Sequence, residues 1–400
     1  MEAKVAHSDH RSFAGPSVPV PGSVQVTLPP GRPALIAGRD GQSAALLERL
    51  LRIAFLRLPE QHTDGEFVFT VTGTAAPGGG WLLRPAGTSL RYGAITALGL
   101  LRAQEPDQRR VLAGQTSDYL VGKLAKRLDE ITGLGDAALV CWAAAEAGHG
   151  ELPHAVERLR QLDRPGLPLD VVSAAWMVSA LVAARPHVDV EQHLAAARGR
   201  LLAARGDVAY PHTIGGGTPR YRAHVGSFAD QVYPVQALAR LHASADDPEA
   251  LATAEAVAGV VCTAQGDAGQ WWWHYDSRTG GVVEGYPVYS VHQHAMAPMA
   301  LLDLADAGGT DHLDAICRGL RWMADRPETS ADLVLDEPPI TWRKVARGDR
   351  RKLVRGLQAA STRVRPGIHM PGLDRLYRPG TVDRECRPYE LGWLLMAWLS

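Results

Sequence analysis

From Arg91 onward the chain reads as one helix after another, and this limits its possible folds more than any other feature. Apolar residues recur at three- and four-residue intervals over 91–104, 115–128, 134–147, 152–162, 170–184, 190–204, 228–243, 247–264, 291–306, 311–325, 343–361 and 388–399. The connections are short, and no β run is expected among them. The segments also alternate in character. GDAALVCW from Gly135, LDVVSAAW from Leu169, ADQVYPVQ from Ala229, SVHQHAMA from Ser290 and PYELGWLL from Pro388 each open on a polar residue or two and continue with small or aromatic apolar ones. The segments between them, such as HAVERLRQL from His154, are charged along one side. Helices that are apolar nearly all round belong inside, with amphipathic helices around them.

The expected fold is therefore all-α. Residues 91–400 are too many for one simple bundle core, and a toroid of about six helical hairpins accommodates both the count and the alternation. Its inner helices should start near Asp136, Asp170, Asp230, His292 and Glu390. Their N-terminal ends then converge on one mouth, where partial positive charges favour an anionic ligand. Residues 1–38, rich in Pro, Gly and Ser without periodicity, read as a mobile leader. Residues 39–90 carry an amphipathic helix (43–56) and a hairpin (66–83), expected as an appendage outside the ring.

Bulk properties exclude several classes. A net charge of -1 gives no electrostatic case for nucleic acid or an anionic membrane as main partner. No run of 18 apolar residues is present, so no spanning helix is expected, and the N-terminus has no secretory pattern. Cys141, Cys262, Cys317 and Cys386 show no metal spacing and fit a reducing compartment, hence the cytoplasm. Walker A, GxGxxG, HExxH and GxSxG patterns are missing, so no cofactor or metal is expected.

The densest chemistry lies in 265–302, QGDAGQWWWHYDSRTGGVVEGYPVYSVHQHAMAPMALL. Trp271, Trp273 and Tyr275 present apolar bodies with polar tips, which suit a half-wet cavity wall or, alternatively, a buried aromatic corner. Tyr289, His292, Tyr286 and His274 are candidates for proton transfer. Asp276 and Glu284 offer a carboxylate pair of the kind that hydrolyses glycosides, although one of them could simply cap its turn. His292 and His294, two apart on a helix, point in different directions, which argues against a metal site. Upstream, His212 precedes a Gly-Gly-Gly run that permits close backbone approach to a ligand. Arg220, Arg222, His224 and Asp230 follow and could form a rim that holds a carboxylate or phosphate. The basic stretch 340–365 is either a solvated helix or a cover for an acidic ligand, with Trp342 and Arg343 at its start. Arg387, Tyr389 and Glu390 open the last helix.

Gln265, Gly269 and Trp271 match the QxxxGxW motif of the squalene cyclase and prenyltransferase toroids, in which the motif is structural. This chain resembles them there, but it has no DxDD acid motif and no recognisable prenyltransferase zinc ligands. Its texture, with Trp, Tyr, His and Arg in the loops before inner helices, is similar to the toroidal glycan lyases, sugar epimerases and glycoside hydrolases. That resemblance covers residues 91–400. It implies an enzyme acting on a small-molecule or glycan substrate, expected to be an anionic sugar. The alternatives are a terpenoid or prenyl-diphosphate cyclase with a different acid, and a glycan-binding toroid without catalysis.

Overall fold

In a computed structural model the described residues are 31–349 and 353–400. Among them, six helices form an inner ring: Leu90–Leu100, Leu134–Glu146, Val171–Ala184, Ala229–Ala245, Ala297–Asp306 and Pro388–Trp398. Each packs against the next, and the sixth packs against the first, so the ring closes. Helices Ser117–Ala125, Leu152–Leu162, Glu191–Ala203, Pro248–Thr263, Leu313–Asp325 and Gly41–Gln61 lie outside it. The fold is an (α/α)6 toroid.

Local sequence explains the sorting. Val171–Ala184 has almost no charged or large polar side chain and is buried nearly all round. Leu152–Leu162 buries only Leu152, Ala155, Val156 and Leu159, one stripe at helical spacing. Small residues bring the inner helices together. A Cβ on Gly99 would overlap the backbone of Gly392, and one on Gly392 would lie 2.8 Å from the Thr96 Cα. The starts near Asp136, Asp170, Asp230, His292 and Glu390 all belong to the inner ring. The fifth inner helix begins with a π turn at His292–Met296.

Three expectations are corrected. First, Arg32–Arg39 is helical, and Arg32 donates to Asp303 (2.5 Å), Asp306 (2.6 Å) and the carbonyl of Ala397 (2.9 Å). The rest of the expected leader, residues 1–30, lies outside the described residues. Secondly, the helix and hairpin of 39–90 are not an appendage. Gly41–Gln61 is an outer helix beside the last inner one, and the hairpin of Glu66–Ala75 and Trp81–Thr88 pairs with Glu385–Cys386. Thirdly, no helix runs over 343–361. Lys344–Arg347 is the central strand of a sheet, flanked by Val288–Tyr289 and Pro379–Asp383, and the helix there is Leu353–Val364. Its alternation buries Val345 against Val288 and Val382, which tertiary pairing favours over the local helical preference.

Short strands, not expected from the sequence, thus lead into the inner helices and build the mouth. Val225–Ser227, His274–Asp276 and Val282–Glu284 form a further sheet there. No helix among the described residues is long and apolar enough to cross a membrane.

Candidate active site

The mouth is built on an aromatic floor. One to two turns into the inner helices, Trp176, Tyr233, Trp393 and Trp142 follow one another at ring separations of 5.1, 5.9 and 6.0 Å. Arg91 lies 5.6 Å over Trp176 and pairs with Asp136, linking the first three inner helices.

One wall comes from the last two inner helices and the strands before them. Tyr289 packs 4.8 Å from Trp273 and 5.0 Å from His292, and Trp273 stacks on His292 with planes 6° apart. Arg343 lies 5.0 Å over Tyr289, held there because its neighbour Lys344 pairs in register with Tyr289. The same guanidinium reaches Glu390, with Nε 3.4 Å from Oε1, and Glu385 at 3.7 Å. Arg387 donates to Glu385 (2.7 Å) and to the Tyr92 hydroxyl (2.9 Å), and Tyr92 lies 4.7 Å from Tyr389. Arg387 also sits 4.6 Å over Phe69 of the hairpin.

The electrostatics of this wall are unusual for surface groups. Burial pushes the Glu390 carboxyl up to about 7, although Arg343 and Arg387 oppose the shift. Glu390 Oε1 and Arg343 Nε are both buried without a hydrogen bond among the described residues. Burial works against the charge of Arg343, but Tyr389, Tyr289, Glu390 and Glu385 more than offset it and its pKa rises. His292 is driven the other way, to about 3, by burial and then by Arg343 and His294, so it is neutral at ordinary pH. Burial also raises the Tyr389 phenol well above its ordinary value, with Glu390 adding to the effect.

Across the mouth, Asp230 in the first turn of the fourth inner helix is fully buried. Its Oδ2 accepts from Ser227 N (2.6 Å), Ser227 Oγ (2.8 Å) and His212 Nδ1 (3.1 Å). It is sealed behind His212 and Ser227 and does not open to the mouth, where a substrate contact was expected. The Asp230 hydrogen bond is the largest influence on His212 and raises its pKa. Between the two walls stand Arg222 and Arg355, neither with an ion pair among the described residues. Arg355 lies 5.7 Å over Trp273. After burial itself, Arg355 and then Arg222 hold His274 well below the usual imidazole range.

Other expected site residues lie elsewhere or are occupied. Trp271 is fully buried against Phe228, with its indole nitrogen close above Gly319, and Tyr275 is fully buried beside Phe228. Trp342 is buried against Trp81 and Gly73 of the hairpin. His224 is buried and bonds Thr362 at 3.0 Å. Asp276 is taken up by Arg278 through two side-chain bonds of 2.9 and 2.7 Å, and Glu284 accepts from Tyr286 N and Arg347 Nε. These two carboxylates are thus committed to separate arginines and form no open pair. The Tyr286 hydroxyl donates to Glu328 (3.1 Å) beneath Arg347, away from the Tyr289 contacts. Arg220 is exposed on the turn before Arg222. No three His, Cys, Asp or Glu side chains among the described residues gather as a metal site.

Among the residues at the mouth that were not singled out in the sequence are Tyr92, Trp176 and Arg355. Tyr92 sits inside an apolar helical run, Trp176 inside another, and Arg355 within a basic stretch that reads equally well as solvated. None of the three carries a local signal. Only ring closure places Tyr92 beside Arg387, and only the docking of Leu353–Val364 on the Arg220–Arg222 turn brings Arg355 over Trp273.

No protein-family model matches the sequence, and comparison with curated protein sequences finds no match. Solved structures do resemble the fold. An unsaturated glucuronyl hydrolase specific for heparin aligns with a TM-score of 0.56 at 12% identity, over 90% of this chain and 96% of that one. An unsaturated glucuronyl hydrolase responsible for the degradation of glycosaminoglycan, from Bacillus sp. GL1, aligns with a TM-score of 0.54 at 15% identity, over 88% and 95%. A glycosidase in complex with glucose aligns with a TM-score of 0.52 at 16% identity, over 90% and 97%. At these identities the likeness establishes the architecture: the chain has the (α/α)6 toroid fold of these hydrolases.

Proposed function

We propose that this protein is a cytoplasmic, carbohydrate-active hydrolase that cleaves a glycoside of an acidic sugar at the mouth of the ring. The observation that carries the reading is the buried Glu390 carboxyl, set between Arg343 and Arg387 and walled by Tyr289, Tyr389 and Trp273. A carboxyl in that setting keeps its proton near neutral pH and can deliver it to a departing glycosidic oxygen. Trp273, partly exposed between His292 and Arg355, supplies an apolar edge for a sugar ring. Arg222 and Arg355, which lack carboxylate partners among the described residues, are the cations left to hold the sugar's own carboxylate. Arg343 and Arg387 are already matched by Glu385 and Glu390 and serve to position them. The proton donation expected of His292 is assigned instead to Glu390, because a neutral imidazole stacked on Trp273 is a far weaker acid than a carboxyl held near 7.

The fold likeness to glucuronyl hydrolases and a glycosidase supports this reading over elimination or epimerisation. A hydrocarbon substrate would need a closed apolar pocket, and this mouth carries several arginines.

The test is a panel of aryl and disaccharide uronides, saturated and unsaturated, alongside the matching neutral glycosides. Turnover of uronides over neutral sugars is expected. Arg222→Ala should raise KM for the uronide about tenfold or more with little change in kcat, since that contact is made in both ground and transition states. Equal turnover of neutral and acidic glycosides, or none of either, rejects the reading.

A further inference from the structure

The imidazole of His212 is held in a way that a surface loop residue does not need. Its backbone N–H donates to Val225 O (3.1 Å) and its carbonyl accepts from Val171 N (3.1 Å), pinning it between a mouth strand and the start of the third inner helix. Its Nδ1 lies 3.1 Å from Asp230 Oδ2. That carboxylate is fully buried and also accepts from the backbone and hydroxyl of Ser227. An ionised carboxylate only accepts, so Nδ1 carries the hydrogen and Nε2 carries the lone pair. Nε2 has no partner among the described residues, and the side chain is 39% exposed. The loop that follows turns away through Gly215, Gly216 and Gly217, all at positive φ (74°, 99° and 87°), and is closed at its base by Thr213 and Thr218 at 2.7 Å. Backbone of that shape is open only to glycine at low cost, and it leaves the imidazole face uncovered.

We propose that His212 is the general base that activates the attacking water, with Asp230 as its positioning residue. This rests on the hydrolase reading above. His212 Nε2 takes a proton from water as the water oxygen bonds to the anomeric carbon. The bond from that carbon to the leaving oxygen breaks, and the leaving oxygen takes the proton of Glu390. His212 ends protonated and Glu390 ionised, and solvent restores both. A water activated by His212 attacks directly, on the face opposite the leaving oxygen that Glu390 protonates, so the single displacement inverts the anomeric configuration.

The charged groups facing His212 are Asp230 and Asp170, which favour its protonation, and Arg222, which with burial opposes it. The net shift is upward. Activity should therefore rise with pH as His212 loses its proton and fall again as Glu390 ionises, giving a bell-shaped profile.

The experiment uses the full chain with aryl α- and β-glucuronides. His212→Gln, at a half-exposed position, should lower kcat about 100-fold or more with KM changed only a few-fold, and the acidic limb of the profile should vanish. Added imidazole should restore part of the rate. Asp230→Asn should keep the thermal melt of a folded chain while moving the acidic limb to lower pH. Proton NMR of the first product should show inversion. An active wild type whose His212→Gln variant keeps kcat within about threefold, or whose product retains configuration, overturns the base assignment and leaves the hydrolase reading standing. A wild type inert on every uronide overturns both.

Discussion

At the scale of single residues, Glu390 couples chemistry to stability. Its ordinary value of 4.5 in the unfolded chain becomes about 7 in the folded one. Between those values the folded state binds the extra proton. Stability from this group is therefore greatest below about pH 4.5 and declines as pH rises through about 7. At pH 8 the folded protein carries a buried carboxylate that water would solvate better. Glu390→Gln should remove turnover by about 100-fold or more and raise the melting temperature at pH 8 by roughly 1–3 °C. A variant that melts lower at pH 8 would show that the carboxylate is mainly an ion-pair partner for Arg343.

At the scale of elements, the stretch from Gln265 to Met296 holds two structural devices that the sequence displayed in different ways. The QxxxGxW motif acts locally. Gln265 donates to Gly269 O and Ala315 O, accepts from Arg318, and so ties the loop to the last outer helix, against which Trp271 packs. The histidines were visible in sequence, but their burial was not. His294 is held down at about 3 by burial, His292 likewise, and His274 lies well below its ordinary value. As pH falls below about 6.5 the unfolded imidazoles take protons that the folded ones refuse. Their stabilising contribution is therefore complete above that pH and is lost toward about pH 3. Each group adds a slope of up to about 1.4 kcal/mol per pH unit in that window. His294→Gln should flatten the stability profile between pH 6 and 4, as read by denaturant melts. An unchanged slope would mean that the imidazole titrates in the folded protein.

For the whole molecule, closure is the decisive event. The Gly99–Gly392 contact joins the first and sixth inner helices, and Arg32 clasps the C-terminal ends of the fifth and sixth through Asp303, Asp306 and Ala397 O. Gly392→Ala places a methyl against Thr96 and the carbonyl of Ile95, backbone that cannot move aside as a flexible side chain would. The expected cost is about 2–3 kcal/mol, seen as a lower denaturant midpoint. Because the Arg387–Tyr92 contact crosses the same seam, uronide turnover should fall with it. A variant as stable and as active as wild type would show that the ring seam adjusts freely.

The division between sequence and tertiary structure follows from the range of the forces involved. Inner and outer helices were legible because burial on all sides or on one stripe is written into the 3.6-residue periodicity of each segment, as in Val171–Ala184 against Leu152–Leu162. The starts near Asp136, Asp170, Asp230, His292 and Glu390 followed from the same signal. The composition of the mouth was not legible in that way. Trp271, Tyr275 and Trp342 went to the core while Trp273 and Tyr289 stayed at the wall, and nothing in residue type separates the two groups. Lys344–Arg347 became a strand because Val288 and Val382 supply backbone partners from distant segments. Arg343 meets Glu390 because its strand pairs with Pro379–Asp383 just before the last inner helix, and Arg387 meets Tyr92 only because the ring brings that helix back to the first. Periodicity is a property of neighbours along the chain, whereas the contacts at the mouth depend on strand pairing and ring closure between distant segments.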